Sequence, residues 1–112
     1  MTKIAIVTGA SRGFGRGTAR ILASEAGYKV YATARTQSAL QSLQKEVAES
    51  NGAGEVIPVV LDQSDDEAVA AFVRRVSASE KQIDLLVNSA YAGLIAMTPH
   101  FGKPFWERPI SV

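Results

Sequence analysis

The chain has 112 residues, 46% of them hydrophobic, and 12 Lys and Arg against 11 Asp and Glu, for a formal net charge of +1. That length supplies one ordinary core and hardly two, and so even a charge balance leaves no long-range field to gather nucleic acid or an anionic membrane surface. The absence of cysteine excludes disulfides, thiolate metal sites and a cysteine nucleophile together, and suits a reducing compartment.

Ile4 to Val7 is a short, continuous apolar run, far too brief for a signal-peptide core or a membrane span, and it reads as a first strand. The expectation is an intracellular, cytoplasmic protein with no membrane segment; organelle or membrane association of a full-length form is left open. Phe14 to Ala26 follows as a helix, with Ile21 and Leu22 among small residues, ended by Gly27 as a left-handed cap. Tyr28 to Ala34 is rich in β-formers and reads as a second strand. Leu40, Leu43 and Val47 stand at i, i+3 and i+7 of a second helix, which Gly52 is expected to close. Val56 to Leu61 is a third strand whose Pro58 has no amide to give a sheet ladder, so this strand belongs at an edge. Ser64 and Glu67 have capping-box spacing before a third helix with inner positions Val69, Phe72, Val73 and Val76. Ile83 to Val87 is the fourth strand.

Strand and helix alternate, which implies parallel strands joined by right-handed crossovers: an α/β fold. The architecture expected is a Rossmann-type three-layer parallel sheet of order 3-2-1-4, which puts the third strand outermost, where Pro58 needs it. Residues 1–93 are expected to form the N-terminal half of such a Rossmann domain. Residues 94–112, with Pro99, Pro104 and Pro109 and no regular period, are expected to be an irregular tail leading toward an absent second half. The first two helices then share one face of the sheet, the third covers the other nearly alone, and the fourth strand is an open edge.

The loop between the first strand and first helix reads TGASRGFGRG, Thr8 to Gly17. Such a loop aims free backbone amides above a helix N-terminus, where the helix dipole favours an anion, and phosphate is the natural guest. Glycines allow a sharp turn and close approach of the ligand. The spacing Gly9, Gly13, Gly15 is G-x3-G-x-G; the G-x-G-x-x-G fingerprint fails because its last position is Thr18, and no Lys-Ser or Lys-Thr pair makes a P-loop. The plain alternative is a tight turn with no ligand. About twenty residues on, dinucleotide sites carry an acid for a ribose 2′-hydroxyl or an arginine for a 2′-phosphate. Here stands Ala34-Arg35, with no acid between Val30 and Ala39. Arg35 and Arg12 together favour NADP(H) over NAD(H), against the alternative that each is a solvated charge. Arg16 and Arg20, four apart, are read as the wet face of the first helix, with no chemistry assigned.

These motifs resemble the short-chain dehydrogenase/reductase family, whose T-G-x-x-x-G-x-G opening is matched by Thr8, Gly9, Gly13 and Gly15. Asp62 stands where that family has a carboxylate for the adenine amino group, and Asn88-Ser89-Ala90 where it has Asn-Asn-Ala-Gly, with departures at Ser89 and Tyr91. The run Asn88-Ser89-Ala90-Tyr91-Ala92-Gly93, with Phe105-Trp106-Glu107 and Pro109 beyond it, resembles one branch of the family. The resemblance implies hydride transfer between a nicotinamide dinucleotide and a small carbonyl or alcohol substrate. It also implies cofactor contacts from Gly9, Ser11, Arg12, Gly13, Phe14, Gly15, Arg35, Asp62, Asn88 and Ala90.

The family's acid/base is a tyrosine with a lysine four residues later, and four residues after Tyr28, Tyr31 and Tyr91 come Ala32, Arg35 and Ile95. Tyr31 and Arg35 would lie about 13 Å apart on one strand and cannot act together. His100, the one histidine, has no triad partner spacing, and no metal set is present. No catalytic residue is therefore assigned, and the 112 residues alone are expected to be inactive. The alternative is a non-catalytic nucleotide-binding or protein-interaction module that associates through the open fourth-strand edge.

Overall fold

The computed structural model describes residues 2–89. Along them run β1 (Ile4–Thr8), α1 (Gly13–Ser24), β2 (Lys29–Ala34), α2 (Gln37–Glu49), β3 (Glu55–Val60), α3 (Asp66–Ser79) and β4 (Leu85–Asn88). The sheet has the order β3-β2-β1-β4 with every pairing parallel, as the Pro58 edge argument and the strand-helix alternation require. Pro58 lies opposite Ala32 on β2, with no strand on its outer side among the described residues.

β1, between two neighbours, is buried along its whole length. Its alternate side chains divide the core: Ala5 and Val7 face α1 and α2 with Ala19, Ala23, Leu40, Leu43 and Val47, while Ile4 and Ile6 face α3 with Tyr31, Phe72 and Val76. The period-2 alternation of a strand thus serves two helical layers at once. Leu40 and Leu43 are fully buried, the consequence of their spacing on α2.

Several local expectations are revised. Gly27 does take the left-handed conformation (φ 76°), but α1 stops at Ser24. α2 stops at Glu49, and the left-handed residue after it is Asn51 (φ 59°), not Gly52. Gly52 is needed for a different reason: a Cβ there would lie 2.6 Å from the Ser24 Cα. α3 is capped by Asp65, whose carboxylate accepts the Ala68 amide at 3.1 Å; Ser64 bonds Asp62 instead, so the capping box of Ser64 and Glu67 does not form. Val73 is 47% exposed rather than inner, since Phe72 and Val76 occupy the buried stripe and one adjacent position falls outside it. Ile83 is exposed and precedes β4, which begins at Leu85.

Two acidic residues, Asp84 and Glu80, fix the ends opposite the glycine loop. Asp84 accepts the Ile4 amide and donates its own amide to the Ile4 carbonyl, both at 2.8 Å, tying the entry of β4 to the start of β1. Glu80, just past α3, accepts from the Tyr31 hydroxyl (2.6 Å) and pairs with Lys29 (2.7 Å), holding that helix end to β2. β4 forms the other edge of the described sheet, and Leu86 on it is 64% exposed. No helix among the described residues is long and apolar enough to cross a membrane. Residues 90–112, with the expected irregular tail at 94–112, lie outside the described residues.

Candidate functional site

The carboxyl ends of all four strands open at the same side of the sheet, because every strand is parallel. β1 ends at Thr8, and the chain turns through Gly9 (φ 63°) and Gly13 (φ 62°), both left-handed positions that favour glycine. The Ala10 amide donates to the Thr33 carbonyl at 3.0 Å and pins the turn to β2. α1 then begins at Gly13 with Arg12 as its N-cap, in extended backbone and with no side-chain cap bond. The first amides of a helix have no intrahelical acceptor, and an arginine has no acceptor atom to offer them. With no acid in the first turn either, those donors and the dipole suit an anionic guest.

The two later glycines of the motif have separate reasons. A Cβ on Gly13 would meet nothing within 4 Å, so that residue is set by its φ and borders open space. A Cβ on Gly15 would collide with the Gly9 carbonyl oxygen and stand 2.6 Å from Ser89 Oγ. Gly15 therefore lets α1 approach the turn and the end of β4 closely.

Beneath the turn, Thr8 is buried and its hydroxyl donates to Asn88 Oδ1 at 3.0 Å while accepting the Ser89 amide at 3.0 Å. The Ser89 hydroxyl donates to the Thr8 carbonyl. Ser89, a departure from the family motif, thus helps join the ends of β1 and β4.

Arg35 follows β2 directly and is exposed; Asp62 stands two residues beyond β3. The Leu61 amide bonds the Ala34 carbonyl at 2.9 Å, keeping these two strand ends side by side. Asp62 Oδ1 accepts both the amide (3.0 Å) and the hydroxyl (2.7 Å) of Ser64. These two bonds, amide first, and the Arg35 charge hold the Asp62 carboxyl below the usual carboxylate range against the opposing effect of desolvation. Among the described residues the salt bridges are Arg16–Glu46, Arg20–Glu46 and Lys29–Glu80, so neither Arg12 nor Arg35 is engaged in one. Phe14, at the helix start, is 76% exposed.

The strand ends and the turn thus place Gly9, Ser11, Arg12, Gly13, Phe14, Gly15, Arg35, Asp62 and Asn88 at the carboxyl end of the sheet. Ala90 lies outside the described residues. The described residues hold no group of three or more His, Cys, Asp or Glu that could bind a metal ion. Sequence reasoning missed two side chains. Ser64 was legible, since Asp-x-Ser is the spacing of an Asx turn. Arg16 was not: it reaches across to α2, bonding the Ala39 carbonyl at 3.1 Å and Glu46 at 2.8 Å. No local spacing relates residues that far apart in sequence.

A parallel sheet whose order reverses beside β1, with a glycine turn leading into a helix at that point, defines the Rossmann class of α/β folds. The family model for short chain dehydrogenases matches residues 3–112, and the chain belongs to the short-chain dehydrogenase/reductase family of oxidoreductases. It is 42% identical over 111 residues to dehydrogenase/reductase SDR family member 1 of Mus musculus, covering 98% of this chain and 34% of that protein. That relative is of the branch which the run from Asn88 to Gly93 resembles. Among solved structures, a metagenomic short-chain oxidoreductase in complex with NADP matches with a TM-score of 0.75 and 36% identity, over 94% of this chain and 43% of that one. The L-sorbose reductase of Gluconobacter frateurii, complexed with NADPH and L-sorbose, matches with a TM-score of 0.72 and 32% identity, over 83% and 35%. The chain thus spans about a third of the length of the mouse relative.

Proposed function

We propose that this chain is the NADP(H)-binding half of an oxidoreductase that interconverts carbonyl and alcohol groups. The observation that carries the proposal is the pairing of an uncapped helix start behind Arg12 with Arg35 at the end of β2, neither arginine salt-bridged among the described residues. The open left-handed position at Gly13 and the close approach at Gly15 fit the pyrophosphate of a dinucleotide. In this reading the amides at the start of α1 bind the pyrophosphate, and Arg12 and Arg35 bind the 2′-phosphate. Asp62 accepts from the adenine amino group with the oxygen that Ser64 leaves free. Bound NADP(H) supplies or takes up a hydride. NADP and NADPH in the related structures support this choice of cofactor.

No tyrosine in the 112 residues has a lysine four positions on, so cofactor binding, and no proton transfer, is assigned to these residues. Arg35→Asp tests the cofactor assignment. A carboxylate at that point would repel a 2′-phosphate and accept from a 2′-hydroxyl, so NADPH should bind at least about tenfold more weakly and NADH no more weakly. An unchanged NADPH affinity in equilibrium titrations would contradict the proposal.

A further inference from the structure

Arg16 was expected to be a solvated charge. Its side chain is 27% exposed instead, and it spans the groove between α1 and α2. Nη1 donates to the Ala39 carbonyl at 3.1 Å, and Nη2 contacts Ser42 Oγ at 3.5 Å and Glu46 Oε2 at 2.8 Å. Arg20 reaches the same Glu46, with its Nε 3.8 Å from Oε1. Among the described residues, the hydrogen bonds joining α1 to α2 are those of Arg16.

Both ends of this bridge lead to the arginines of the candidate site. On the α1 side, the Arg16 amide bonds the carbonyl of Arg12, the helix N-cap, at 3.4 Å. On the α2 side, Ala39 lies in the first turn, and its neighbour Leu40 bonds through its amide to the Thr36 carbonyl at 3.5 Å, next to Arg35. Thr36, the N-cap of α2, makes no side-chain cap bond, so Arg16 holds from the side a helix start that its own cap does not hold. The Ala10 to Thr33 bond fixes the glycine turn to β2, but it stops short of Arg35 and α2.

We infer that Arg16 is a positioning residue that sets the spacing between Arg12 and Arg35, and so tunes discrimination for a 2′-phosphate without touching it. This rests on the proposed NADP(H) reading. The fork is essential to it: two nitrogens of a planar guanidinium serve a backbone carbonyl and a carboxylate together, which a lysine ammonium on its flexible stem does not reproduce.

The experiment measures NADPH and NADH dissociation constants for the full chain and for Arg16→Ala, Arg16→Lys, Arg35→Ala and the double variant Arg16→Ala/Arg35→Ala. Arg16→Ala should weaken NADPH roughly tenfold and NADH by less than about twofold, and should cost little further once Arg35 is gone. Arg16→Lys should keep the Glu46 pair and still lose selectivity, and it serves as the second variant where Arg16→Ala fails to fold. Equal weakening of both dinucleotides, additive losses in the double variant, or full selectivity in Arg16→Lys would each overturn the Arg16 inference alone. If Arg35→Ala leaves NADPH binding intact, the cofactor reading itself falls, and the Arg16 inference falls with it.

Discussion

Gly15 and Gly17 lie two residues apart on α1 and are chemically identical, yet alanine should act oppositely at the two. At 15 the added Cβ would fall against the Gly9 carbonyl oxygen, 2.9 Å from the Gly9 carbonyl carbon and 2.6 Å from Ser89 Oγ. Carbon contacts settle at about 3.5 Å or more, so the start of α1 must retreat, and neither a backbone carbonyl nor a helix start yields cheaply. Overpacking of this kind costs up to about 3 kcal/mol, offset by about 1 kcal/mol of improved helix propensity, for a net loss of about 2 kcal/mol. At 17 a Cβ meets nothing within 4 Å, so only the propensity gain of about 1 kcal/mol remains. The difference, about 3 kcal/mol, corresponds to roughly 12 °C or more between the two midpoints in thermal melts followed by circular dichroism. Shifts of the same sign and size in Gly15→Ala and Gly17→Ala would refute the close approach of α1 to the turn.

The remaining expectations concern the core and the Lys29, Tyr31 and Glu80 cluster. Leu43→Ala should cost about 2–5 kcal/mol in urea unfolding, because Leu43 is fully buried; Val73→Ala, at a half-exposed position, should stay within about 1 kcal/mol. The bond to Glu80 raises the Lys29 pKa above its ordinary value, and burial followed by the Glu80 bond raises that of Tyr31. A raised group contributes its stabilisation in full below its unfolded value, about 10 for both side chains, and loses it as pH rises through the folded value. Stability should therefore fall on alkaline titration, and Glu80→Gln should flatten that limb; an equally steep alkaline limb in the variant would show that the cluster does not couple to folding.

Much of the fold was legible because local patterns and global topology agree. Leu40, Leu43 and Val47 mark one helical stripe, and all three are buried. Pro58 argued for an edge, and the strand order places it there. Alternation of strands with helices carried the parallel topology. What was not legible depends on distances that no spacing encodes. Val73 sits beside the buried stripe of α3, and only the packing of Phe72 and Val76 against the sheet shows which side of the helix is wet. Ser64 is the exception, because the Asp-x-Ser spacing does encode its Asx turn with Asp62, which leaves Asp65 to cap α3. Gly52 was read as a helix terminator, while its true constraint is the backbone of Ser24, far from it along the chain. In the candidate site, the glycine turn and Arg35 followed from motif spacing. Arg16 emerged only once α1 and α2 were seen side by side.

In the proposed reading, Arg12 and Arg35 together make the site bind a 2′-phosphorylated dinucleotide more tightly than one that lacks the phosphate. Side-by-side equilibrium titration of the full chain with NADPH and NADH tests it most directly. Charge-assisted hydrogen bonds contribute about 1.5–3 kcal/mol, so NADPH should bind roughly 10- to 100-fold more tightly, with the advantage shrinking as salt screens these exposed arginines. Equal affinity for the two, or tighter binding of NADH, would contradict the account.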